Sequence, residues 1–230
     1  MPGIATLLDQ WTSEPGQPRL TWYGPDGERV ELTGRVMANW VAKATNLLAE
    51  EADLQAAGHL ELDLPVHWRT AVWALAAWTC GASAGTGPGG APEALVTTVD
   101  RLGGPPPAEV TIVIALPALA MSVDDAPPGT LDGAAELMSQ PDVLIHPVPA
   151  PGTGPAAGWR TDGETVDLLA GTAGSSRVLL DATTVSVTEF LASAVRAWGG
   201  GGSVVLVGDP EADLERIAQQ EGTDGGPPAG

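Results

Sequence analysis

Ser83 lies at the centre of Gly81-Ala82-Ser83-Ala84-Gly85, the G-x-S-x-G spacing that in a nucleophile elbow exposes a serine for acyl transfer. That chemistry needs a strand before the serine and a helix directly after it. Here an apolar helical run precedes the pattern and a Gly/Pro loop follows. A triad also needs a base and an acid; His146, with Asp124, Asp125 or Asp142, stands in a usable chain order. Element order favours a structural serine at the start of a packed small-residue strand. Hydrolysis at Ser83 is kept as the enzyme alternative.

Gly85-Thr86-Gly87-Pro88-Gly89-Gly90 satisfies G-x-G-x-x-G, but Pro88 removes a backbone N–H from the middle of what would be a pyrophosphate cradle. A flexible turn is the simpler reading. The three histidines, His59, His67 and His146, are far apart in sequence, and with a single cysteine no metal-ligand spacing arises. His67, near a helix start, reads as a capping or surface group. The acidic residues are scattered, so no paired-carboxylate site is expected, and no catalytic residue is assigned.

Composition narrows the partners. The formal charge of −19 sets a field that repels phosphate backbones and anionic lipid. Nucleic-acid and membrane partners are therefore not expected, and ATP or CoA would need a local concentration of cations. The lone Cys80 excludes an intramolecular disulfide and fits a reducing cytoplasm. The N-terminus lacks a basic, apolar leader, and the most apolar stretch, Thr70–Gly85, is shorter than the ~20 residues a spanning helix needs. Nine Arg against one Lys, with 30 Gly and 21 Pro, point to a GC-rich bacterial genome.

Ile4, Leu7, Leu8 and Trp11 recur at helical spacing. Arg19–Tyr23 and Glu28–Leu32 flank a Gly-Pro-Asp-Gly turn, which predicts a hairpin. Thr33 can cap a helix whose apolar face is Val36, Met37, Trp40, Val41, Ala44, Leu47 and Leu48. Its polar face is Arg35, Asn39, Lys43, Asn46 and Glu50. Leu60, Leu62 and Leu64 alternate with Glu61 and Asp63, which predicts a half-buried strand. The Trp68–Trp78 run that follows predicts a helix apolar nearly all round. Pro92–Leu102 reads as a helix, Val110–Leu116 as a buried strand, Val143–His146 as a short strand, and residues 147–158 as a hinge. A strand at Arg177–Leu180, a helix at Ser186–Trp198, a strand at Ser203–Val207 and a last helix capped by Asp209 complete the pattern. The expected fold is α/β: a mostly parallel β-sheet flanked by helices, with a small N-terminal hairpin, in one domain over residues 1–221 and a disordered tail over 222–230.

Leu20-Thr21-Trp22-Tyr23 with Val30-Glu31-Leu32, then Leu62-Asp63-Leu64-Pro65 with Gly81-Ala82, and later Trp198–Val207, resemble successive segments of the adenylate-forming enzymes (acyl-CoA synthetases, luciferases and adenylation domains). The resemblance covers residues 18–103 and 175–223 and is confined to that family's N-terminal subdomain. It implies a phosphate loop, whose nearest counterpart here is Ala170–Arg177. Gly171, Thr172, Gly174, Ser175 and Arg177 are its candidate cofactor-binding residues, although the family's Pro, Lys and final Gly are missing.

Adenylation needs concentrated positive charge around an α-phosphate. The single lysine, Lys43, falls on an early helix. The family's adenine- and Mg²⁺-handling motifs, and the lysine of its C-terminal domain, have no counterpart within these residues. The expected function is non-catalytic, through binding or assembly, with no bound cofactor. A remnant that holds ATP, AMP, CoA or an acyl group without activating it is the alternative. The apolar Trp68–Trp78 helix predicts a homodimer.

Overall fold

The computed structural model describes residues 3–87, 92–104, 108–146, 157–161, 164–170, 174 and 176–223. In chain order the elements are α1 (Ile4–Ser13), β1 (Pro18–Tyr23), β2 (Arg29–Thr33), α2 (Gly34–Glu51), β3 (His59–Asp63), α3 (Trp68–Thr79), β4 (Ser83–Gly85), β5 (Ala94–Thr97), β6 (Val110–Val113), β7 (Leu131–Asp132), α4 (Gly133–Ser139), β8 (Gly158–Thr161), β9 (Glu164–Asp167), β10 (Arg177–Asp181), α5 (Val187–Gly199), β11 (Ser203–Val207) and α6 (Leu214–Glu221). The fold is α/β with parallel-rich sheets and an N-terminal β1–β2 hairpin, as the alternation of strand and helix patterns predicts. The chain divides into two compact units, Met1–Met37 with Pro65–Trp68 and Leu168–Gly230, and Ala38–Leu64 with Arg69–Asp167.

The first unit holds a four-stranded sheet in the order β10-β11-β1-β2, parallel except for β2. Leu179, Val205, Val207 and Ile217 form the core cluster beneath α6, with Tyr23 packed against it. Trp11 of α1 meets Trp198 of α5 edge to face at 5.3 Å, and the Trp198 indole N–H donates to the Arg19 carbonyl at 2.7 Å. Helix α5 starts on a capping box: Ser186 accepts from the Glu189 N–H, and Glu189 accepts from the Ser186 N–H. The last helix begins four residues later than expected. Asp209 instead closes a turn onto the Glu211 N–H, and Asp213 is the cap, accepting from the Arg216 N–H at 3.0 Å. Past α6, Gly222 adopts the left-handed conformation and Thr223 donates back to the Ala218 carbonyl, so these two residues close the helix.

The second unit holds a seven-stranded sheet, β7-β6-β5-β3-β4-β8-β9, parallel except for β9. Its register sorts the side chains by face. Leu60, Leu62, Ala84, Ala94, Val96, Ile112 and Trp159 share one face and are fully buried. His59, Glu61, Asp63, Ser83, Gly85, Thr97, Thr111 and Arg160 share the other. The alternation in Leu60-Glu61-Leu62-Asp63 thus runs across the neighbouring strands, giving a sheet with one apolar and one largely polar face.

Four expectations need correction. Pro92–Leu102 contains β5 rather than a helix. Ala94-Leu95-Val96-Thr97 is held between β3 and β6, and pairing on both sides overrides the helix preference of Glu-Ala-Leu. Residues 143–146 form no strand. Val36 is 36% exposed rather than on the apolar face of α2. Asn46, expected on its polar face, is completely buried. Helix α3 is buried along its whole length within the single chain, from Trp68 to Thr79, as a helix apolar nearly all round requires. Of the expected hinge, only Ala157 and Gly158 fall within the described residues.

Candidate functional site

Among the phosphate-loop candidates, Gly171, Thr172 and Ser175 lie outside the described residues. Gly174 is exposed, and its N–H donates to the Arg196 carbonyl, at the last turns of α5, at 3.1 Å. Arg177 opens β10. Its guanidinium donates to Ser203 Oγ at 2.7 Å, to Thr21 Oγ1 at 3.1 Å and to the Glu221 carboxylate. A phosphate-binding arginine must turn its N–H fork toward the ligand. This fork is turned toward β1, β11 and α6.

Glu221 is the hub of that network. Its side chain is only 8% exposed, and it accepts from the Tyr23 hydroxyl, from Arg177 and from Arg29, the last at 3.0 Å. Burial alone would raise the Glu221 carboxyl above the usual range. The hydrogen bonds from Tyr23, Arg177 and Arg29 outweigh burial and hold it below. Burial and the adjacent Glu221 together push the Tyr23 phenol up. The result is a carboxylate fixed in its charged state, pinning the last helix to the sheet. The sequence carried no signal for it, because Glu221 lies far from Tyr23, Arg29 and Arg177 along the chain.

Ser83 finds a histidine, but not the one expected. Its Oγ lies 3.1 Å from His59 Nδ1 and also donates to the Gly58 carbonyl at 3.1 Å. His146 instead meets Glu50 at 3.4 Å. Burial, then the charge of Arg160, lowers the His59 pKa, so its ring is neutral near pH 7. His59 Nε2 is buried without a hydrogen-bond partner among the described residues, and Glu93 accepts from the His59 backbone N–H at 2.7 Å. The pairing was latent in the sequence. His59 and Ser83 open the two strands of one β-α-β unit and become register partners. Both stand where their strands begin, whereas open parallel sheets bind ligands at the opposite ends. Cys80 offers no alternative nucleophile, since burial pushes its thiol up to about 12.

The opposite ends of those strands carry a further polar group. The order β4-β3-β5-β6-β7 reverses direction at β3, which makes the β3/β5 junction a topological switch point. There Asp63 and Thr97 are register partners, Arg101 donates to Asp63 at 2.9 Å, and Thr97 Oγ1 lies 3.5 Å from Asp63. The local helix preference of Glu93-Ala94-Leu95 conceals this group in the sequence. Lys43, the only lysine, donates to the Gln140 carbonyl and pairs with Asp142 at 2.9 Å. Among the described residues no group of three or more His, Cys, Asp or Glu could hold a metal ion, and no helix is long and apolar enough to cross a membrane.

No protein-family model matches the sequence. The chain is 30% identical over 240 residues to a TIGR03089 family protein of Mycobacterium tuberculosis, covering 95% of each. Its fold matches an acyl-CoA synthetase from Brucella canis, with a TM-score of 0.72 and 17% identity, over 96% of this chain and 46% of that one. It also matches a coronafacic acid ligase from Pectobacterium brasiliense, with a TM-score of 0.67 and 12% identity, over 95% of this chain and 47% of that one. The chain thus spans about half the length of the solved enzymes it matches. At these identities the likeness concerns the fold.

Proposed function

Because the chain belongs to the TIGR03089 family and has the fold of the N-terminal part of adenylate-forming enzymes, we propose that it acts by binding or assembly and does not activate carboxylic acids. The observation that carries this reading is the engagement of its cations. Arg177, the cation of the degenerate phosphate loop, is bonded to Glu221, Ser203 and Thr21, and Lys43 is bonded to Gln140 and Asp142. A triphosphate would have to break the Arg177–Glu221 pair and then sit beside a buried carboxylate in a chain of charge −19.

Thermal-shift measurements with MgATP, AMP, CoA and acyl-CoAs test the proposal. The reading predicts no ligand-dependent stabilisation. A saturable rise with nucleotide or CoA would replace it with the ligand-holding alternative. Because α3 is buried within its own chain, assembly is proposed through another surface than that helix.

A second reading, hydrolysis at Ser83, draws on the 3.1 Å approach of His59 Nδ1 to Ser83 Oγ. Against it, the Ser83 backbone N–H is bonded to the Gly58 carbonyl and cannot help to stabilise an oxyanion. A fluorophosphonate probe should leave the native protein unlabelled. Labelling that disappears in Ser83→Ala and in His59→Gln would establish the hydrolytic reading.

A further inference from the structure

Helix α4 and the segment after it place large apolar side chains in water. Met138 is 48% exposed, Val143 65%, Leu144 37% and Ile145 52%. Isolated exposed apolar residues are ordinary, but several within eight residues of an ordered segment form a patch that marks interaction surfaces.

The order is imposed from α2. The buried Asn46 amide donates to the Val143 carbonyl at 2.9 Å and reaches the Pro141 carbonyl at 3.4 Å, while its Oδ1 accepts from the Ile145 N–H at 3.1 Å. Lys43 holds the Gln140 carbonyl and Asp142, and Glu50 holds the Gln140 amide at 3.0 Å and His146 at 3.4 Å. The backbone of 140–146 is thus fixed by polar side chains, and its apolar side chains are left outside.

The rim is acidic. Asp142 is 60% exposed and Glu50 38%, Glu51 is exposed and Glu136 half-buried, and the one lysine nearby is already paired with Asp142. Hydrogen bonds from Gln140, then from His146, hold the Glu50 carboxyl below its usual range. We propose that the Met138–Ile145 surface docks a basic, apolar-faced segment of another protein. Apolar residues of that segment would cover Val143, Leu144 and Ile145, and its Lys or Arg side chains would meet Asp142, Glu50 and Glu136. A second copy of this chain would bring the same carboxylates against each other, and an anionic lipid surface would be repelled. Because the acceptor is already ordered, binding need not order it first.

The inference rests on the binding reading above and names its partner class. A short amphipathic helix of Leu and Lys serves as the probe, and its Leu-to-Ser counterpart of equal charge as the control, both titrated against the intact protein at physiological salt. The expected result is that the Leu/Lys peptide binds at least about tenfold tighter than its control. Val143→Ser with Ile145→Ser should abolish that difference, leave the melting temperature unchanged, and leave light scattering at the mass of one chain. Glu136→Gln, outside the clasp from α2, should weaken the Leu/Lys peptide while sparing the apolar surface. Equal binding of the two peptides, or no effect of the double substitution, would overturn the proposal. So would a marked loss of stability in the double variant, because the patch would then be covered by its own chain. A two-chain mass that falls to one in the variant would overturn it in favour of self-association. Detection of adenylation would sink the functional reading without altering any of these peptide results.

Discussion

At the scale of single residues, Glu221 sets the clearest test. Replacing it with Gln keeps the shape but leaves Arg177 and Tyr23 facing a neutral amide. Losing charge-assisted hydrogen bonds at a largely buried position costs about 2 kcal/mol, or roughly 4–8 °C in melting temperature for a chain of this size. The sign of the pH dependence follows from the direction of the shift. The folded-state pKa of Glu221 is depressed, so its contribution is complete above the unfolded carboxylate value, about 4.3. It is lost as pH falls from there through the folded value. Thermal melts of wild type and Glu221→Gln should therefore be well separated at neutral pH and converge under acid conditions. A constant separation down to pH 3 would remove Glu221's charge as the cause. His59, also depressed, adds a decline that begins at higher pH, as the medium passes below about 6.5. In His59→Gln that early decline should be absent.

At the scale of elements, α2 shows what a sequence can and cannot disclose. Its apolar stripe was plain, and Met37, Val41, Ala44, Leu47 and Leu48 are all fully buried. Periodicity assigns Asn46 to the wet side of the helix, because the pattern holds no trace of what crosses that side. Here the segment 140–146 crosses it and takes both ends of the amide. Asn46→Ala should cost about 2–3 kcal/mol, since it strands backbone groups that Asn46 now serves. It should also speed amide hydrogen exchange at Ile145 while α3 stays protected. If exchange at Ile145 is unchanged, the clasp is not what orders that segment. Strands followed the same rule. The β1–β2 hairpin, β3, β6, β10 and β11 were legible from turn chemistry and alternation. β5 was not, because pairing on both sides outweighs the local helix preference of Glu93-Ala94-Leu95. The candidate loop was located by its glycines, but the aim of Arg177 depends on Glu221, which no local pattern connects to it.

At the scale of the whole molecule, the chain carries an acyl-CoA synthetase-like fold while its candidate phosphate cation is held internally. The exposed edge strands carry Glu31 on β2 and Glu164 on β9, and negative charge on an edge discourages pairing with a second copy. The most direct test of non-catalytic binding is isotope exchange between pyrophosphate and ATP. It would be run with Mg²⁺ and a panel of aliphatic, aromatic and amino-acid carboxylates, comparing wild type with Arg177→Ala. Exchange should stay at the level of the protein-free control for every acid, with no difference between the two proteins. Carboxylate-dependent exchange by wild type that is lost in Arg177→Ala would contradict non-catalytic binding, and would make the Gly171–Arg177 loop a working phosphate site.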